Sequence, residues 1–322
     1  MSERRTQEEE LEYRRYLHRL KRREERRRKV MIARAVTVVV LVVIVALLTC
    51  LIRWSVKAVT GDKDKAKQPS PTTATISEPT LEPLDYAIPE GYEELSQGLE
   101  ALREDYPEVE DILLNLYEYP ENLLNLAINN QETLDFVIGY PKHKSDIKPA
   151  GKITKKELES GIPCLQQWDE RWGYLNYGND IIAIDGCGPT CLSMVVSGLL
   201  QDKTKTPDAM ADFSIDNNYY TPASGSAWSL MSSGAEKQGL QAETVTVGAA
   251  QIEEQLQEGH PIICSMKPGD FTTTGHFIVL TGLTEEGKVT VNDPNSIARS
   301  QQEWEIDTLV EQMKAAWAYS VS

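Results

Sequence analysis

Hydrophobic and polar positions divide the chain into stretches of different character. From Ala35 to Ile52 the residues run without anything more polar than Thr37 and Thr49. Carried back to Val30, this run is long enough to cross a bilayer core, which takes about 20 apolar residues. It predicts a single transmembrane helix over 30–53, with Arg34 near one end and Arg53 and Trp54 at the other, suited to the interfaces. The charged stretch 1–29 ahead of it is too long for a cleaved signal peptide, and no small-x-small site follows. Leu48 and Thr49 before Cys50 do not suit lipoprotein processing, so the run reads as a retained anchor. Residues 54–87 are rich in Pro, Thr and Lys, lack hydrophobic periodicity and read as an extended tether.

Residues 88–157 change character. Ile112, Leu113, Leu116, Leu123, Leu124, Leu126, Ala127, Leu134, Val137 and Ile138 recur at helical spacing, and Pro107, Pro120 and Pro141 cut the segment into short helices. No catalytic set occurs in it. It reads as a helical prefix that packs on the following domain or binds a partner.

Residues 158–322 read as one α+β domain. Pro189 suits the first turn of a helix whose apolar face continues through Cys191, Met194, Val195 and Leu199. Further helices are expected at 207–217, 227–239, 249–258 and 307–317. Strands are expected at Pro261–Met266, His276–Leu283, Lys288–Asn292 and Glu303–Ile306, separated by turns such as Thr284-Glu285-Glu286-Gly287. Helices first and a strand-rich part afterwards suit an α+β layer fold.

Charge adds an orientation. The net charge of -16 conceals 12 basic against 7 acidic residues in 1–29, and 18 basic against 42 acidic residues after position 57. Lys21, Arg22, Arg23, Arg26, Arg27, Arg28 and Lys29 sit just before the span and belong on the cytoplasmic side, which puts the C-terminal body outside the cell membrane. Glu and Arg alternate through 1–29 at helical spacing, so this segment reads as a solvated helix leaning on anionic headgroups. The acidic body argues against nucleic acid as a partner.

Of the five cysteines Cys50 lies in the span, and Cys164, Cys187, Cys191 and Cys264 are too few for a disulfide framework in a chain of this size. Their spacing does not match structural zinc, and nothing in the sequence demands a metal or organic cofactor. Cys187 stands apart, in Gly186-Cys187-Gly188-Pro189-Thr190 at a predicted helix start. A thiol attacks only as the thiolate, which a helix N-terminus and a nearby imidazolium both favour. Gly186 and Gly188 allow a tight approach of backbone and substrate. Cys191, Cys164 and Cys264 fit the commoner role of a small buried hydrophobe.

Elimination supplies the base. His18 precedes the span, His143 sits between Lys142 and Lys144, and His260 occupies the turn Gly259-His260-Pro261. His276 alone opens a strongly apolar strand, where a sheet edge can hold it against the Cys187 helix. Asp293, in Val291-Asn292-Asp293-Pro294-Asn295, closes the next strand and can orient the imidazole. Asn292 and Asn295 offer rival acceptors, and an ordinary Asx-Pro turn explains the same residues. For the oxyanion, the Cys187 N–H and the amide of Gln167 are the candidates, with Gln166 beside it.

The chain order Gln, Cys, His, Asp is the papain-like order. The stretches Ile162–Gly173, Gly186–Met194, Gly275–Gly282 and Val291–Ser296 resemble the bacterial papain-like peptidases related to the bacteriocin-leader-processing family, the group called peptidase family C-thirty-nine-like. The resemblance covers about half of the chain. It implies a cysteine peptidase with Cys187 as nucleophile, His276 as general base and then acid, Asp293 as orienting group and Gln167 as oxyanion donor. The expected partner is a peptide or protein substrate. The leader-processing enzymes are fused to an ABC transporter and face the cytoplasm, whereas this chain has no Gly-x4-Gly-Lys-Ser/Thr motif and should place its domain outside. The same residues would also serve a cell-wall amidase or transpeptidase, and an idle papain-like domain would bind peptide or cell-wall ligands. Trp168, Trp172, Tyr219, Tyr220 and Trp228 either line a substrate groove or are core and rim aromatics.

Overall fold

The structure, a computed structural model, describes residues 81–144, 151–222 and 225–321. The predicted segment 1–29, the predicted span 30–53 and the tether up to residue 80 lie outside the described residues. Among the described residues no helix is long and apolar enough to cross a membrane. Asp85–Arg103 with Val109–Ser322 form one compact unit, which holds both the helical prefix and the α+β part.

The prefix contains α1 (Glu93–Glu100), α2 (Glu110–Leu113), α3 (Glu121–Asn129) and α4 (Leu134–His143). The residues picked out by their spacing form its interior: Ile112, Leu113, Leu116, Leu123, Leu124, Ala127, Leu134 and Val137 are all buried. Pro120 stands just before α3, as expected, but Pro141 lies inside the last turn of α4. So near a helix end, the missing proline N–H removes one bond from a turn that is about to stop. The prefix docks on the following domain. Phe136 stacks on Tyr174 with ring centroids 4.1 Å apart, and the Tyr174 hydroxyl donates to the Phe136 carbonyl at 2.7 Å. His143, expected in a charged connector, stacks on the same tyrosine at 4.7 Å.

After α5 (Lys155–Leu158), the strands β1 (Asn176–Tyr177) and β2 (Asp180–Ile181) form a small hairpin that leads into α6 (Ile182–Asp185) and α7 (Cys187–Leu200). Next come α8 (Pro207–Asp216), a second small hairpin of β3 (Tyr220–Thr221) and β4 (Gly225–Ser226), and α9 (Ser233–Lys237). The remaining elements are β5 (Gln241–Val245), α10 (Ala249–Gln257), β6 (Ile262–Met266), β7 (His276–Leu283), β8 (Val289–Asn292), α11 (Ile297–Ser300), β9 (Glu303–Trp304), α12 (Ile306–Glu311) and β10 (Met313–Ser320). One antiparallel sheet has the strand order β5-β10-β6-β7-β8-β9.

The sheet is covered on both faces, which explains why its central strands read as continuous apolar runs. Ile263, Phe277, Val279, Trp317 and Tyr319 join one core with Cys191, Met194 and Val195 of α7 and Met210 of α8. Their neighbours Ile262, Cys264, Ile278, Leu280 and Ala318 join a second core with Ile252 of α10 and Leu309 of α12. This alternation is the period-2 pleat read from two sides.

Three sequence expectations need correction. The helix expected at 307–317 ends at Glu311, and Met313–Ser320 is a strand instead. Its alanines favour helix, but pairing with β5 on one side and β6 on the other overrides that local preference. The expected helix 227–239 is a 3-10 turn at Trp228–Leu230 followed by α9, and the strand expected at Glu303–Ile306 stops at Trp304. The edge strand β5 was not anticipated, because its largely exposed QAETV carries little hydrophobic pattern.

Gly186 and Gly188 do permit a close approach, but of the protein to itself. A methyl group at Gly188 would collide with the Ser226 side chain, and one at Gly186 with the Ile182 backbone. The Ser226 hydroxyl is fixed in turn by a 2.8 Å hydrogen bond with the buried Tyr177 hydroxyl, which also meets Ser214 at 2.9 Å. Gly188→Ala is therefore expected to cost about 1–3 kcal/mol of stability by overpacking. In a Ser226→Gly background the same change should cost much less, and urea unfolding of the two pairs measures the difference.

Candidate active site

Cys187 is the first residue of α7, with Gly186 at the N-cap. The first N–H groups of a helix lack intrahelical acceptors and carry partial positive charge, so the thiol sits where an anion is favoured. Cys187 is half-buried, while Cys191, one turn on, is fully buried. Cys264 is buried as expected, but Cys164 is exposed. All four are free thiols.

His276 is the first residue of β7, an interior strand between β6 and β8 rather than an edge strand. Val279 pairs with Asn292 and Leu280 with Val291. Asp293 directly follows the last paired residue of β8 and begins the turn beside the start of β7. The side chains meet there. His276 Nε2 lies 2.7 Å from Asp293 Oδ1, with Asp293 fully buried and His276 nearly so. Cys187 lies close enough to the ring to favour its charged form. With Nε2 taken by Asp293, Nδ1 is the ring nitrogen that the carboxylate leaves open.

Asn292 and Asn295 do not compete for the ring. The Asn292 side-chain amide donates to the Ile162 carbonyl, and the Asn295 backbone N–H donates to Asp293 Oδ1 at 2.8 Å. The second carboxylate oxygen accepts from Arg299 Nε at 2.5 Å. Arg299 went unnoticed in the sequence. Its one signal is that no other Lys or Arg stands between Lys288 and Lys314. It rides on α11, whose N-cap Ser296 follows the Asp293-Pro294-Asn295 turn.

Gln167 and Gln166 hold this loop to the cysteine segment. The Gln167 N–H donates to the Pro294 carbonyl at 2.7 Å, and its side-chain amide donates to the carbonyls of Ala183 at 2.8 Å and Ile184 at 3.3 Å. Its amide hydrogens are therefore directed at α6, just ahead of Cys187, and its buried Oε1 has no partner. Gln166 Nε2 donates to the Asp293 carbonyl at 3.1 Å. Of the aromatic candidates, Trp172 and Tyr219 are core residues, Trp168 is partly buried with its N–H 3.4 Å from the Asn295 carbonyl, and Tyr220 packs edge-on to Tyr177. Trp228 is half-exposed and leans edge-on against Trp317. His260 is partly buried and paired through Nδ1 with Gln255. Among the described residues, no cluster of His, Cys, Asp and Glu can hold a metal ion.

The electrostatics follow from burial and pairing. Burial opposes charge on His276, but the Asp293 carboxylate and the contact with Cys187 outweigh it and push the imidazole up to about 10. Burial would raise Asp293, yet His276 and Arg299 hold it below the usual carboxylate range. Both shifts favour the charged pair, imidazolium against carboxylate.

Residues 159–322 match the model of the Peptidase_C39 like family. This stretch is half of the chain and contains Cys187, His276 and Asp293, so the protein belongs to that family of cysteine peptidases. A search of curated proteins finds no match.

The raised imidazole ties stability to pH. The folded value lies above the ordinary 6.5, so the His276 contribution is fully present below about pH 6.5 and fades as the pH rises through about 10. Asp293 acts in the opposite sense: its contribution is present above the usual carboxylate range and is lost as the pH falls through its lowered folded value. The stability lost in Asp293→Asn should therefore be largest near pH 5–6 and shrink toward pH 10, as urea unfolding across that range would show. A loss that does not vary with pH would overturn the assignment.

Proposed function

We propose that this protein is a membrane-anchored cysteine peptidase whose domain faces outward and which hydrolyses peptide bonds through Cys187, His276 and Asp293. The observation that carries this reading is the 2.7 Å contact of His276 with a fully buried Asp293, on a ring whose charge Cys187 also favours. His276 holds the proton given up by Cys187 as an imidazolium, and the thiolate attacks the substrate carbonyl carbon. The C–S bond forms while the carbonyl electron pair moves onto oxygen. Asp293 holds the imidazolium in place and balances its charge. The Cys187 N–H at the start of α7 donates to the oxyanion, and Gln167 supplies the side-chain donor once its amide turns away from the Ala183 and Ile184 carbonyls. His276 then protonates the leaving nitrogen as the C–N bond breaks. Water, deprotonated by the same imidazole, hydrolyses the thioester and returns the thiol.

Support for the anchor is in the sequence. The apolar run 30–53 and the basic cluster Lys21–Lys29 support an N-terminus in the cytoplasm and a folded unit outside. On intact cells, a membrane-impermeant thiol reagent should label the wild type, and Cys187→Ala should remove the fast-reacting part of that label. Labelling only after lysis would refute the orientation.

For the activity, the full-length chain in detergent should cleave a subset of a diverse peptide library. Cys187→Ala should lose that cleavage entirely, and His276→Ala by at least about a thousandfold. A thiol probe should modify Cys187 far faster than Cys191, with His276→Ala slowing that reaction. Equal rates at both cysteines would remove the nucleophile from this reading.

A further inference from the structure

The loop that carries Asp293 is held from a second side by the helical prefix. The turn between α3 and α4 places Glu132 against the start of α11, where its carboxylate accepts from Ser296 Oγ at 2.6 Å, from the Ile297 N–H at 2.8 Å and from the Ala298 N–H at 3.3 Å. Next to it, the Asn130 side-chain amide donates to the Asn295 carbonyl. Asn130 is itself fixed, because its Oδ1 accepts from the Glu132 N–H at 3.1 Å and its carbonyl from Thr133 Oγ1 at 2.7 Å. Two of the three donors on Glu132 are first-turn N–H groups of α11, which no partner within that helix can satisfy. A carboxylate there also meets the favourable end of the local dipoles.

α11 bears directly on the triad. Arg299 holds Asp293 Oδ2, and the Ser300 hydroxyl accepts from the Asp293 N–H at 2.8 Å. Ser296, bound by Glu132, caps α11 by accepting from the Arg299 N–H at 3.1 Å. From Glu132 to Asp293 there is thus an unbroken sequence of short contacts, and none of its α3–α4 members lies within 159–322, the part that matches the family. We propose that Glu132 is a positioning residue for the proposed triad: by holding the α11 start, it sets the orientation of Asp293 and Arg299, and the domain reaches full reactivity only while the prefix is docked. This rests on the role proposed for Cys187, His276 and Asp293.

The test is made on the full-length chain with two readouts, one of which needs no substrate. The first is the pH dependence of Cys187 alkylation by iodoacetamide. The second is the kcat and KM of peptide cleavage. Variants are Glu132→Ala, Glu132→Gln and a control, Tyr174→Phe, which removes a different prefix–domain hydrogen bond away from α11. Thermal unfolding accompanies each, so that a loss of fold is recognised.

In Glu132→Ala, kcat should fall roughly 10- to 100-fold with KM nearly unchanged, the effect of a small misplacement in a reacting set. The alkylation profile should shift toward that of His276→Ala. Glu132→Gln keeps one acceptor and should fall between, while Tyr174→Phe should keep the wild-type profile even where it lowers the melting temperature. Glu132→Ala with an unchanged alkylation profile and kcat would overturn the proposal. Equal losses in Tyr174→Phe would reduce Glu132 to general docking and overturn it as well. Wild-type alkylation indifferent to His276→Ala would refute the triad itself, and with it this inference. A wild type with the expected alkylation profile that cleaves no peptide would refute only the peptidase activity and leave the Glu132 result to be read from alkylation.

Discussion

A carboxylate withdrawn completely from water is the constraint around which this structure is arranged. Burying an ionised Asp293 without partners would cost so much that the group would take up a proton instead. It stays charged because every direction around it offers a donor: His276 and the Asn295 N–H on one oxygen, Arg299 on the other. Its backbone is fixed as well, by Ser300 on the N–H and Gln166 on the carbonyl. The short α11 exists to present two of these partners. The close of β8, the turn that follows it and the start of β7 all serve the same small volume. Cys187 stands at the start of α7, and the burial of that helix along nearly its whole length fixes its place.

Much of this was legible in the chain. Cys187, His276 and Asp293 stood out because each type is rare or specially placed: a thiol between glycines, the one histidine opening an apolar strand, and an acid before proline at a strand end. Strands β6, β7 and β8 declared themselves because burial on both faces leaves continuous apolar runs. What stayed hidden depends on contacts far apart in sequence. Strand β10 is alanine-rich and becomes a strand only through its two neighbours. Arg299 is an ordinary surface-type residue until α11 turns it onto Asp293. Gln167 was chosen for its amide, and in the structure that amide ties α6 to the Asp293 loop through its main chain and side chain together. The two glycines flanking Cys187 predicted a close approach, and within the protein the groups that approach are Ser226 and Ile182.

The prefix changes how the domain is understood as a unit. Its periodic leucines fill its own interior, and its attachment to the domain relies on Tyr174, Asn295 and the start of α11. That interface mixes aromatic stacking with charge-assisted hydrogen bonds, which are directional as well as strong. It therefore specifies a position and does more than cover apolar surface. A segment that carries none of the reacting atoms can still set the geometry of those that do.

The placement of β10 has a consequence in time. The strand formed by residues 313–320 lies between β5 and β6, so the sheet on which His276 stands cannot close until that stretch of chain is available. Pairings this distant are also slow to form, because loop closure precedes the contacts that reward it. A chain made as far as β9 has Cys187, His276 and Asp293 in place along its length but still lacks the strand that joins β5 to the rest of the sheet.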